Sequence, residues 1–225
     1  MLIKYSLVGL FITSMLLTAC TAITLTQDEV IGSGVLTTET REVNGFTTIT
    51  LANSGDADIV IGESEGVVIE AEDNLLPYIT TRVVLGRLTI SNKNDVNLNA
   101  TQPIHYTITL KHLEGIDLTG SGTVAIPQVN VDWLKFELHG SGNIVASGTA
   151  DELVAGLFGS GNIMGSELRA TSAKVEIPGS GNIVVWATNK LNATINGSDT
   201  VSYYGQPTIT QSINGSGSLT PMGDK

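Results

Sequence analysis

Gly140-Ser141-Gly142-Asn143, Gly159-Ser160-Gly161-Asn162 and Gly179-Ser180-Gly181-Asn182 are three copies of one tetrapeptide, and their spacing decides the fold. Gly120-Ser121-Gly122-Thr123 precedes them, and Gly197-Ser198-Asp199-Thr200 and Gly215-Ser216-Gly217-Ser218 follow. The first glycines stand 20, 19, 20, 18 and 18 residues apart. A period near twenty marks a solenoid, in which each repeat packs only on its neighbours.

The flanks say which solenoid. Two residues before each turn stands an aliphatic residue: Leu118, Leu138, Leu157, Ile177, Ile195 and Ile213. Four before it stand Ile116, Phe136, Ala155, Val175, Ala193 and Gln211, and the positions between are mostly polar or small. Four after the first glycine the apolar set returns as Val124, Ile144, Ile163, Ile183, Val201 and Leu219. Period-two alternation is the mark of a strand with one buried face. Each unit is therefore strand, glycine turn, strand and variable corner, with no stretch long enough for a repeat helix.

Such units coil into a parallel β-helix whose rungs stack about 4.8 Å apart, giving a rod of roughly 25–30 Å for six rungs. Glycine at the turns supplies a positive φ or a close backbone approach, since stacked corners leave no room for a side chain. The residues after each turn (Thr123, Asn143, Asn162, Asn182, Thr200 and Ser218) are placed for a hydrogen-bonded ladder. Asp199 replaces a turn glycine and is expected to loosen the fifth corner. The series lacks the Lys-Ser/Thr of a phosphate cradle and the repeated Asp of a calcium nonapeptide.

Before the repeats, residues 41–115 show β segments without the period. They read as an N-terminal β portion that caps the first rung of residues 116–219, because an uncovered end is a sticky edge, and that can already begin the coil. The domain so delimited spans 41–222.

The chain's 225 residues are 41% hydrophobic and only 15% charged, a balance that argues against disorder. A formal charge of −11 argues against a nucleic-acid partner. Its single cysteine excludes a disulfide framework and a cysteine zinc site. Acid gathers early, with eleven acidic residues and only Arg41 as a base between Asp28 and Asp73, and this reads as a solvated face.

That cysteine sits at an informative place. Lys4, an apolar run from Leu7 to Leu17 and then Leu17-Thr18-Ala19-Cys20 form a signal followed by a lipobox. Residues 1–19 read as a lipoprotein signal peptide, and Cys20 as the acylated residue that attaches the chain to membrane lipid. Residues 20–40 read as lipid anchor and flexible tether, rich in Thr, Gly and Ser from residue 21. The expected location is extracytoplasmic, at the bacterial cell surface or outer membrane.

The chain from Val43 to Leu219 resembles the head GIN domain family of auto-transporter adhesins. The resemblance rests on the repeated Gly-Ser-Gly-Asn turns and on the run Leu191 to Ser198, followed by Val201-Ser202-Tyr203-Tyr204-Gly205-Gln206-Pro207. Asp73-Asn74-Leu75-Leu76-Pro77 and Gly86-Arg87-Leu88-Thr89-Ile90 also fit. It implies an all-β, right-handed parallel β-helix on the cell exterior with an adhesive role, and no functional residues to carry over.

The leading function is a non-catalytic surface binding or adhesion module for an unknown glycan or protein ligand. A structural envelope lipoprotein and a polysaccharide-processing β-helix enzyme are the rivals. His105, His112 and His139 share no repeat position, and Glu137 and Glu176 share an outward register two rungs apart with Gly156 between them. No catalytic residue, metal ligand or cofactor is assigned. Trp133 and Trp186, at variable corners, and the pair Tyr203 and Tyr204 are the candidate binding residues, because exposed rings stack on sugars or apolar groups.

Overall fold

A computed structural model describes residues 28–94 and 96–225. The signal segment and Cys20 lie outside the described residues. The chain begins with β1 (Asp28–Ile31) and β2 (Leu36–Arg41); then β3 (Thr48–Leu51), a turn and β4 (Asp56–Ile61) form a rung of the coil. An excursion follows through β5 (Gly66–Glu72), a 3-10 turn (Leu76–Tyr78), the hairpin β6 (Ile79–Val84) and β7 (Arg87–Asn92), β8 (Val96–Asn99) and β9 (His105–Leu110). The coil resumes with β10 (Gly115–Leu118) and the long strands β11 (Thr123–Leu138), β12 (Asn143–Leu157), β13 (Asn162–Ile177) and β14 (Asn182–Gly197). It ends with β15 (Thr200–Tyr204), β16 (Thr208–Gly215) and β17 (Ser218–Pro221).

These strands make a β-solenoid of about five turns. Each long strand bends midway, so its halves serve opposite faces. One face runs β6, β7, β3, β10, the second halves of β11 to β14, and β16. The other runs β2, β5, β9, β4, the first halves of β11 to β14, β15 and β17. The bend in β11 is a bulge at Pro127-Gln128, where Gln128 takes φ +55°.

The apolar columns read from the sequence close the interior. Ile90, Leu51, Leu118, Leu138 and Leu157 lie in parallel register on one face, and Ala57, Val124, Ile144, Ile163, Ile183 and Val201 on the other. All are buried in one continuous core. The last rung is different: Ile209 and Gln211 of β16 are exposed, because no further strand covers them.

The turn glycines are explained by close approach. A Cβ on Gly140 would overlap the carbonyl oxygen of Gly120 in the rung beneath, and one on Gly161 would overlap that of Gly142. Neither has a positive φ; among the turn glycines from Gly120 to Gly217 only Gly197 and Gly215 do. The residues after the turns do form a ladder, with Asn162 Nδ2 donating to Asn143 Oδ1 at 2.9 Å and Asn182 Nδ2 to Asn162 Oδ1 at 3.2 Å. Asp199 does not loosen its corner. Its carboxylate accepts the Gly181 N–H at 3.1 Å and ties the fifth turn to the fourth.

One further expectation changes. The segment 28–40 is not tether: β2 pairs antiparallel with β5 from Leu36 to Arg41, and β1 pairs with β8. The buried Glu72 carboxylate fastens it by accepting the N–H groups of Gly34 at 2.6 Å and Thr101 at 2.8 Å and the Thr101 hydroxyl. The Thr101 hydroxyl chiefly holds the Glu72 pKa below its ordinary value, against the opposing effect of burial.

The N-terminal portion both caps the coil and begins it. Asn53-Ser54-Gly55-Asp56 is a turn of the same stack: Ser54 Oγ lies 3.2 Å from Ser121 Oγ, and Asp56 accepts the Thr123 N–H at 2.8 Å. The coil therefore begins at Thr48, and the antiparallel strands β2, β5 and β6 close its end.

Candidate binding surface

Regular stacking leaves the outward residues of each face in columns. On the face that carries β10, one column runs Arg87, Thr48, Gly115, Lys135, Val154 and Lys174. The neighbouring one runs Thr89, Thr50, Asp117, Glu137, Gly156 and Glu176. Strand alternation turns Trp133, Lys135 and Glu137 outward together while Leu134 and Phe136 face the core.

Gly115 interrupts the first column. Its missing side chain opens a notch of about 210 Å³ bounded by Arg87, Asp117, Trp133, Lys135 and Glu137. A second hollow of about 340 Å³, lined by His112, Glu114, Asn130 and Asp132, lies along Trp133 as well. Trp133 is thus a ridge between two concavities, and it is 41% exposed. Lys135 pairs with Glu137 at 2.8 Å, and Arg87 approaches Asp117 at 3.7 Å while donating to Thr50 Oγ1 at 2.9 Å.

Asp117 is the residue that sequence reading missed. One rung below Glu137, it is half-buried, and its Oδ1 is shut from solvent without a hydrogen-bond partner in the structure. Burial raises its pKa above the ordinary carboxylate value; the charges of His139 and Arg87 oppose the shift, and Glu137 adds to it. The signal was available: Asp117, Glu137 and Glu176 each stand three residues before a turn glycine.

The other candidates separate. Trp186 and Tyr204 are register partners on the opposite face, and the Lys225 ammonium lies 5.9 and 4.8 Å from their ring centres. Lys225 also pairs with Glu167, so the chain itself occupies that aromatic pair. Tyr203 turns inward and packs on the core. Nearby, Ala125, Pro127, Val145 and Met164 line an apolar groove of about 450 Å³. The three histidines are dispersed: His105 contacts Asp58 at 3.2 Å, His112 lies in the hollow beside Trp133, and His139 stacks on Phe158. Among the described residues no group of three or more His, Cys, Asp or Glu side chains is arranged to hold a metal ion.

Comparison with known proteins places this geometry. The family model described as "Putative auto-transporter adhesin, head GIN domain" matches residues 45–207. A putative adhesin from Bacteroides fragilis is similar in structure at a TM-score of 0.71 and 25% identity, over 87% of this chain and 100% of that one. A putative lipid binding protein from Parabacteroides distasonis is similar at 0.59 and 25% identity, over 87% and 100%. A putative adhesin from Parabacteroides merdae shares the fold at 0.52 and 20% identity, over 87% and 99%. No curated protein matches the chain. Since the match spans the coil from the end of the β2 connection to the fifth turn and beyond, the chain belongs to the auto-transporter adhesin head GIN domain family.

Proposed function

We propose that the protein is a non-catalytic binding module displayed on the exterior of a bacterial cell and held there by acylated Cys20. The observation that carries the binding role is Trp133, a large aromatic side chain standing open on a rigid sheet between two concavities. An exposed ring of this kind supplies contact area at small entropic cost, and its place on paired strands keeps it pre-organised. The adhesin description of the family and of the similar solved structures supports the same reading.

Two experiments test it. Protease shaving of intact cells, with lysed cells as the control, should release the coil from outside; protection until lysis would favour an internal envelope role. Surface display of the wild-type chain and of Trp133→Ala on a non-adherent cell should give binding to host or bacterial surface preparations that the variant loses. Equal retention of both, at the level of undisplayed cells, would overturn the module reading. The apolar groove at Val145 and Met164 favours a second reading, an acyl-chain site, in line with the lipid-binding description of one similar structure. Displacement of a fluorescent fatty acid, lost in Met164→Glu, would support it.

A further inference from the structure

The notch at Gly115 narrows the ligand class. We propose that Trp133 and the hollows on either side of it bind an uncharged oligosaccharide, with one sugar ring stacked on the indole; the inference rests on the binding-module reading above.

Size comes first. A notch of about 210 Å³ lies below the roughly 300–1,000 Å³ of pockets for drug-sized ligands, so it suits a single ring. The continuation past Trp133 into a second hollow suits a chain of rings more than an isolated one. The aromatic ridge offers a flat apolar face to the C–H side of a pyranose while the polar walls remain within reach of its hydroxyls.

Charge gives the second argument. At the notch Arg87 and Lys135 present donors, Asp117 and Glu137 present acceptors, and the four formal charges cancel. The second hollow adds Glu114 and Asp132, so the surface as a whole does not recruit a polyanion. A hydroxyl both donates and accepts, and so it satisfies both kinds of wall at once.

The backbone limits the main rival at the notch. There β3, β10 and residues Lys135–Leu138 of β11 have neighbours on both sides, so an extended peptide finds no free edge; along the second hollow, Asn130–Leu134 pair on one side only, with β12. A peptide would also need apolar side-chain pockets, and the accessible walls here, Trp133 and the half-buried Val131 apart, are polar or charged.

The test is titration calorimetry of the full chain with cellohexaose, xylohexaose, mannohexaose and chitohexaose, and with polygalacturonate as an anionic control. Fluorescence of Trp186→Phe, in which Trp133 is the sole indole, reads the same titrations. The expected result is saturable binding of at least one neutral hexasaccharide, with a shift in Trp133 emission and affinity lowered at least about tenfold in Trp133→Ala. Trp133→Phe should restore part of it, and Asp117→Asn should weaken binding with the melting temperature unimpaired. No neutral sugar bound, binding unchanged in Trp133→Ala, or a preference for polygalacturonate would each overturn the proposal. If the displayed chain still adheres to surfaces stripped of glycans, the sugar assignment falls and the module stands. If it adheres to nothing, both fall. Release of reducing ends from a bound sugar would keep the site and overturn its non-catalytic character.

Discussion

Gly161→Ala separates two explanations of the turn glycines by the sign of its effect. Backbone φ at Gly161 is not positive, so conformational entropy alone predicts a gain of about 0.4–1 kcal/mol when Ala replaces it. The stack predicts the reverse. A Cβ there overlaps the carbonyl oxygen of Gly142 and comes within 2.9 Å of Leu138 Cδ2, and the first of these is backbone that cannot swing away. Relief requires the two turns to part. Overpacking of this kind costs roughly 1–3 kcal/mol. Parting the turns also weakens the Asn162 N–H bond to the Gly142 carbonyl, 3.2 Å, and the Asn162–Asn143 side-chain bond, 2.9 Å, at about 0.5–1.5 kcal/mol each. The expected loss is about 1–5 kcal/mol after the entropic gain is subtracted. Gly62→Ala is the control, because its nearest neighbour would be Thr109 Cγ2 at 3.7 Å and its φ is also not positive. Urea unfolding followed by circular dichroism should show Gly161→Ala shifted to lower denaturant and Gly62→Ala unchanged or higher. A Gly161→Ala midpoint at or above wild type would refute the close-approach account.

Four other outcomes follow from the same geometry. Leu157→Ala, at the centre of a fully buried column, should lose about 2–5 kcal/mol in urea melts, and Ile213→Ala on the half-covered last rung clearly less. Asn162→Ala removes two ladder bonds and Asn182→Ala one, so the first should be the more destabilising by about 0.5–1.5 kcal/mol. Glu72 has its pKa lowered in the fold, so the unfolded chain binds the proton more readily; its stabilisation is present above the unfolded pKa and is lost as pH falls through the folded one. Glu72→Gln should therefore lower the melting temperature near neutral pH and flatten its acid dependence. Asp117 is raised and has the opposite sign, so Asp117→Asn should melt no lower than wild type at neutral pH, the difference shrinking as the solution is acidified.

The columns were legible because burial on a pleated strand imposes period two, and the stack repeats it at each turn. The first turn was harder to recognise as a member. Asn53-Ser54-Gly55-Asp56 stands 67 residues before Gly120-Ser121-Gly122-Thr123, with the whole excursion between them, and its first position is not glycine. The structure gives the reason. Gly120 is pressed on the carbonyl of Asn53, whereas Asn53 uses its own side chain to reach the Tyr106 hydroxyl at 2.7 Å. Glycine is required where a turn rests on another turn, and the founding turn rests on none. The strands within 28–40 were hidden for a different reason. Thr- and Gly-rich sequence has no apolar alternation to reveal a strand, and β2 is held by backbone pairing to β5 and by the distant Glu72.

The position of the notch follows from the same logic. Perfect stacking produces flat faces, since every outward side chain has an equivalent above and below it. Concavity needs a broken column, and here the break lies where the excursion rejoins the coil. There β10 spans only Gly115–Leu118, and residues 111–114 arrive from outside the rung. The join places Gly115 between Thr48 and Lys135 and leaves the wall beside Trp133 open. Because each rung contacts only its neighbours, this rung can vary without disturbing the core columns of the rungs above. Trp133→Ala should accordingly weaken binding at least about tenfold yet leave the unfolding free energy within about 0.5 kcal/mol of wild type, as for an exposed position. A loss of stability as large as that of Leu157→Ala would instead make Trp133 a structural residue and remove the ground for a site at the join.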